Sequence, residues 1–216
     1  MILELRKRIS TEEFDYQALL DCLRGYERPR DKITALLRQG VIVRIKKGIY
    51  VFGPAYARRP YSREILANMI YGPSYVSLDY ALHYHGLIPE RVETLTSVSY
   101  GRSRRFQTPA GLFTYSMTPS AAYQEGIDRV ALDQGAFLIA TPEKALCDKI
   151  HHDRGAGLHS QAEIHSYLVE NLRIDDQALA EFNAKAIDTI AERCRSRKMR
   201  LLGGLVRNLS RRLGKA

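Results

Sequence analysis

The chain has 216 residues, 45% hydrophobic and 26% charged, which is the balance of an ordinary globular protein and excludes a disordered one. No apolar run reaches the length of a membrane span, and the start, MILELRKRIS, lacks a signal peptide's order of basic residues followed by an apolar stretch. A cytoplasmic protein that does not engage a membrane is therefore expected. The formal charge of +9 is unevenly spread: residues 1–53 carry 11 Lys and Arg against 7 Asp and Glu, residues 54–191 carry 13 against 16, and residues 192–216 carry 9 against 1. Basic ends flanking a mildly acidic middle are the footprint of a polyanionic partner, without choosing among DNA, RNA and an acidic protein.

Residues 2–9 place Ile2, Leu3, Leu5 and Ile9 near helical spacing. Thr11, followed by Glu12 and Glu13, is suited to cap the next helix, with Phe14, Ala18, Leu19 and Leu23 as its apolar stripe and Gly25 near its end. Pro29 suits the first position of a third helix, because its missing N–H is an orphan there anyway. Ile33, Leu36 and Leu37 give that helix one apolar face, and Gly40 supplies the left-handed stop. Two β-rich runs, residues 41–45 and 49–52, then flank a basic tip, Lys46-Lys47-Gly48. The polar face of the third helix carries Arg28, Arg30, Lys32, Thr34 and Arg38, and the hairpin adds Arg44, Lys46 and Lys47. A cationic helix fits the major groove and a basic hairpin beside it rests on a phosphate strand, so residues 1–53 read as a winged helix-turn-helix that binds DNA. The competing reading is a solvated basic helix–hairpin that only packs on the rest of the chain.

Residues 54–60, punctuated by Gly53, Pro54 and Pro60, read as a linker. Residues 61–216 read as a second, α+β domain. Ser62 and Ser77 suit helix caps, residues 94–100 a strand, and residues 105–108 with 112–117 a hairpin turning at Pro109-Ala110-Gly111. Residues 135–140 (GAFLIA) form a short buried strand, and Thr141-Pro142-Glu143 opens a helix. The expected sheet is small and mostly antiparallel. From Ser160 onward the pattern is helical, with one helix over residues 178–193 and another over 198–213. The latter puts Leu201, Leu202, Leu205, Val206, Leu209 and Leu213 on one side and Arg200, Arg207, Arg211 and Arg212 on the other.

The segments FDYQALLDCL, YERPRDKITALLRQGVIVRIKKGIYVF, PSYVSLDYALHYHGLIPE, GRSRRFQTPAGLFTY and IATPEKALCDKI, in this order, resemble the AbiEi-type antitoxins of bacterial type IV toxin–antitoxin systems. The resemblance spans residues 14–153. It implies an N-terminal winged helix that represses the protein's own operon, and a C-terminal antitoxin domain that opposes a nucleotidyltransferase-like toxin encoded next door. Operator DNA and that toxin are the implied partners, with DNA contacts on residues 29–38 and the Lys46-Lys47 wing. Winged helices often bind as pairs, which adds a possible homodimer on DNA. The alternatives in function are a stand-alone winged-helix regulator and a nucleic-acid-processing enzyme.

Arg102, Arg104 and Arg105 suit a phosphate or an acidic partner equally well, and also a solvated loop. The basic tail, with Arg197, Lys198, Arg200, Arg207 and Arg211, packs its leucines and shows arginines to nucleic acid in the favoured reading; an anionic membrane surface and a partner's acidic groove are the others. Catalytic chemistry finds little foothold. Glu143, Lys144, Asp148 and Asp153 lack the spacing of a restriction-type site, and Lys144 with Asp148 is better read as an i,i+4 pair. His83 with His85 and His151 with His152 lack the three- or four-residue separation of helical metal ligands. Cys22, Cys147 and Cys194 are scattered, which argues against disulfides and a zinc ribbon. A stoichiometric binder without cofactor or metal is expected, rather than an enzyme.

Overall fold

Residues 2–52 form three helices and a three-stranded antiparallel sheet: α1 (Ile2–Arg8), β1 (Glu13–Asp15), α2 (Tyr16–Cys22), α3 (Pro29–Arg38), β2 (Ile42–Lys46) and β3 (Ile49–Phe52), with sheet order β1-β3-β2. The structure, a computed structural model, describes residues 2–118, 120–153 and 157–214. The expected start of the second helix is corrected here. Residues 13–15 are a strand paired with β3, and the cap of α2 is Asp15, whose carboxylate accepts from the Ala18 amide at 2.8 Å. Tertiary contacts outweigh the local capping pattern. Glu12 is buried in an ion pair with Arg6 at 2.6 Å, Glu13 accepts from the Ser62 amide, and Phe14 packs on Tyr50 and Phe52.

The small sheet is a wall shared by two cores. Phe14, Ile42, Tyr50 and Phe52 pack with Leu5, Leu19, Ile33 and Leu36 from the three helices. Ile45, Ile49 and Val51 belong instead to the larger core of the remaining chain. Residues 54–60, expected as a linker, are held in place: Arg6 donates to the Tyr56 carbonyl at 2.6 and 2.9 Å, the Arg58 amide to Glu12 at 3.1 Å, and Arg59 to the Gln134 carbonyl at 2.8 Å.

The larger core is built on α4 (Arg63–Ile70), β4 (Ser74–Val76), α5 (Leu78–Tyr84), β5 (Leu95–Ser99), β6 (Arg104–Thr108), β7 (Gly111–Met117), α6 (Ser120–Tyr123), β8 (Ile127–Leu132), β9 (Gly135–Ala140) and α7 (Pro142–His152). The six strands run β6-β7-β5-β4-β9-β8. The sheet is mixed rather than mostly antiparallel, because β4–β9 and β5–β7 pair in parallel. Ser62 and Thr141 cap α4 and α7 as expected, accepting from the Ile65 and Lys144 amides at 3.1 and 3.2 Å. Ser77 stands at the N-cap of α5 but makes no capping bond; its hydroxyl donates to Asp148 at 2.8 Å.

The chain ends in α8 (Gln161–Ser166), a π-helical turn (Tyr167–Asn171), α9 (Asp176–Ala180), α10 (Ala184–Cys194) and α11 (Arg197–Leu213). The helix expected over 178–193 is two helices. Asn183 breaks it by accepting from both the Lys185 and Ala186 amides at 3.1 Å, which starts α10 afresh. By contrast α11 runs unbroken through Gly203-Gly204. A Cβ at Gly203 would lie 2.4 Å from the Asp188 carboxylate, so the glycine allows α11 to sit close on α10. Leu202, Leu205, Val206 and Leu209 of α11 are buried, as its leucine face predicts. Among the described residues no helix is long and apolar enough to cross a membrane.

Candidate nucleic-acid interface

Three segments bring cations to one place. Arg30 projects from the first turn of α3, Arg44 from β2, and Lys47 from the hairpin turn; with Tyr16, Gly48 and Tyr50 they line an open depression of about 800 Å³. Hairpin register explains the grouping. Arg44 is paired across the strands with Tyr50, so both side chains lie on the sheet face turned toward the helices. Tyr16 is drawn in by the bond from its amide to the Gly48 carbonyl, 2.8 Å. Gly48 adopts φ +87°, a conformation that suits glycine in a tight turn. Arg30, Arg44 and Lys47 are exposed, and none of them makes an ion pair among the described residues. Three unneutralised cations around one depression form a field that favours phosphate.

The other expected contacts of α3 are placed less uniformly. Arg38 is exposed and makes no ion pair among the described residues. Arg28 approaches Asp31 at 4.0 Å in a fully solvated pair, which water screens almost completely. Lys32 lies 5.2 Å from the centroid of the Tyr26 ring, an arrangement that holds its ammonium over an aromatic face. The Thr34 hydroxyl donates back to the Arg30 carbonyl at 3.1 Å, so its proton is engaged within the helix itself.

Lys46 is corrected. Alternation along β2 predicts that Arg44 and Lys46 share a face, but the register shifts between them. Lys46 turns the other way, donates to the Ile70 carbonyl at the end of α4 at 2.6 Å, and lies 4.2 Å from the centroid of Phe106 in β6. A cation at a helix C-terminus is favourably placed. Partial burial lowers its pKa from the usual lysine value.

The remaining expected cations lie apart from the depression. Arg102, Arg104 and Arg105 are all exposed, yet Arg104 and Arg105 are neighbours on a strand and point to opposite faces. In the tail, Arg197, Arg200 and Arg211 are exposed, Lys198 donates to the Asp153 carbonyl at 3.3 Å, and Arg207 pairs with Asp188. Packed on α7 to α10, α11 contributes nothing to the lining of the depression.

The acid–base cluster considered for catalysis is internal. Lys144 and Asp148 form an i,i+4 pair at 3.1 Å, both essentially without solvent contact. Tyr75 and Ser77 donate to the second Asp148 oxygen at 2.9 and 2.8 Å. Burial, and then the Asp148 charge, push the Tyr75 phenol well above its ordinary range. The bonds centred on Asp148 are thus all made within the protein interior. Among the described residues no group of three His, Cys, Asp or Glu side chains is placed to hold a metal. His85, at the C-cap of α5, holds the Ala140 carbonyl at 2.8 Å through Nε2.

Tyr16 and Tyr50 were not among the expected site residues. Tyr50 was recoverable from the hairpin register that sets it opposite Arg44. Tyr16 follows a strand that the capping pattern concealed. No family model matches the chain, and no curated protein matches it significantly.

Proposed function

We propose that the chain binds duplex DNA through α3 and the β2–β3 hairpin, acting as the winged helix of an AbiEi-type antitoxin that represses its own operon and counteracts a nucleotidyltransferase-like toxin. The observation that carries the DNA-binding half is the depression in which Arg30, Arg44 and Lys47 converge without an ion pair among the described residues. Backbone phosphates suit that convergence, since phosphate contacts fix the register of a protein on a duplex. The part of α3 beyond it, with Lys32 and Arg38, is then turned toward the major groove to meet base edges. Tyr16 and Tyr50 add hydroxyl-bearing walls to the phosphate site. The mechanism is stoichiometric occupation of an operator. The antitoxin half is supported by the resemblance of residues 73–90, 101–115 and 139–150 alone.

Fluorescence anisotropy against DNA from upstream of the protein's own gene, beside a scrambled duplex over a range of salt, tests the reading. Binding to the upstream duplex is expected to persist at salt concentrations that release the scrambled one. Equal, salt-labile binding to both would reduce the depression to a general polyanion patch and remove the repressor assignment.

A further inference from the structure

A second cavity, about 490 Å³, lies on the other face of the small sheet, in the seam between the hairpin and the larger core. Val43, Ile45 and Val51 form its apolar floor, and Pro109, from the β6–β7 turn, stands opposite. Its remaining wall is the crossing segment, which contributes Ala57, Arg58 and Arg59. The size falls in the range of small-molecule sites, and an apolar lining with a few convergent polar groups is their usual make-up.

The arginines define what fits. Arg59 donates one guanidinium nitrogen to the Gln134 carbonyl, but its Nε is buried without a hydrogen-bond partner among the described residues. Glu13 is close enough for its charge to feel Arg59, yet the two make no ion pair, and Glu13 accepts from the Ser62 amide instead. Arg58 is exposed and makes no ion pair among the described residues. An inorganic anion would satisfy the guanidinium and leave the apolar part of the cavity unfilled. A neutral apolar molecule would cover the apolar lining and leave the remaining guanidinium N–H groups without an acceptor. A compact apolar body bearing one carboxylate satisfies both, and the guanidinium fork matches a carboxylate.

We propose that the seam cavity is a binding site for a small amphipathic carboxylate, held by Arg59 at its head and by Val43, Ile45 and Val51 along its apolar body. Such a ligand touches β2 on one side and Pro109 of the larger core on the other, and between Val43 and Ile45 on that strand stands Arg44 of the cationic depression. Occupancy therefore sets the hairpin against the larger core and adjusts DNA affinity. This regulatory consequence rests on the DNA-binding reading, whereas the ligand site does not.

The test is isothermal titration of the full chain with 1-naphthoate and with its neutral counterpart 1-naphthamide. Saturable binding of one naphthoate per chain is expected, with the amide at least tenfold weaker. Arg59→Gln should erase that preference, and Ala57→Trp, which fills the cavity from an exposed position, should abolish binding of both probes while thermal unfolding shows the fold intact. Equal affinity for the two probes, or naphthoate binding undiminished in Ala57→Trp, would overturn the proposal. Anisotropy on the duplex is read separately: naphthoate binding with no duplex binding at all would remove the DNA reading and leave this site standing.

Discussion

The ammonium of Lys46 lies 4.2 Å from the centroid of the Phe106 ring and donates to the Ile70 carbonyl, so the hairpin is fastened to the first edge strand of the six-stranded sheet. Lys47, the next residue, faces the open depression on the other side. Two adjacent lysines thus have different work, one structural and one available to phosphate. Lys47→Ala should reduce the slope of log affinity against log salt by about one unit, uniformly across DNA sequences. Lys46→Ala should leave that slope unchanged and lower stability by about 1 kcal/mol, through a lost cation–ring contact and hydrogen bond. Salt titrations and urea unfolding of the two variants check this. A further slope loss from Lys46→Ala would return Lys46 to the DNA surface.

The hairpin shows where the sequence is legible and where it stops. Pro29 and Gly40 delimit α3, and the Lys-Lys-Gly tip delimits β3 as expected and β2 to within one residue, because those signals are local: a fixed φ, a left-handed stop, a tight turn. The shift between Arg44 and Lys46 is not local. It places a side chain against Ile70 and Phe106, residues that nothing in the 26–52 block announces. Glu12 and Glu13 mislead for the same reason, since acids before an apolar stripe suit a helix start, and here they are consumed by Arg6 and the Ser62 amide. Lys144 with Asp148 was readable as an i,i+4 pair; that both are buried under Tyr75 and Ser77 was not.

Glu13 is a buried carboxyl whose pKa is raised, chiefly by desolvation, against the lowering effects of the Ser62 amide and Arg59. A folded-state pKa above the unfolded one means that the folded protein holds this proton more tightly. The associated stability is therefore present at acid pH and is lost as pH rises from the ordinary glutamate range through the raised value. Glu13→Gln retains an acceptor for the Ser62 amide and removes the charge. The variant should match the parent at acid pH, exceed it in stability at neutral pH, and show a flatter dependence between. Urea unfolding at several pH values measures this; a variant that is weaker at neutral pH and equal in acid would contradict it.

Gly53 joins the hairpin to the crossing segment at a point where two backbones touch. Its amide donates to the Val41 carbonyl at 2.8 Å, and a Cβ there would lie 1.9 Å from the Gly40 carbonyl oxygen. A backbone oxygen fixed by the end of α3 has no way to yield as a side chain does. Gly53→Ala should cost about 3 kcal/mol or more, the overpacking range at its severe end. Gly25→Ala, where a Cβ meets nothing within 4 Å, should change stability by only about 0.5 kcal/mol. Midpoints of thermal unfolding for the two variants separate these outcomes, and a mild Gly53→Ala would show that the α3–hairpin junction is able to open.

Asp148 is the centre of the buried polar cluster, accepting from Tyr75 and Ser77 and paired with Lys144. Removing its charge takes away the carboxylate 3.1 Å from Lys144, which is 0% exposed. Breaking such a pair from one side costs about 3–5 kcal/mol, while replacing both charges by apolar groups of similar volume is often close to neutral. Asp148→Asn and the double variant Lys144→Met with Asp148→Leu should both lower stability. The Tyr75 and Ser77 hydroxyls lose their acceptor in the double variant, at about 1–3 kcal/mol each, and this keeps it below the parent. If the cluster were catalytic, both variants would lose an activity; if it is structural, as its burial indicates, DNA affinity measured well below the unfolding temperature should be unchanged in both. Denaturant midpoints together with anisotropy decide between the two, because a structural role moves only the first.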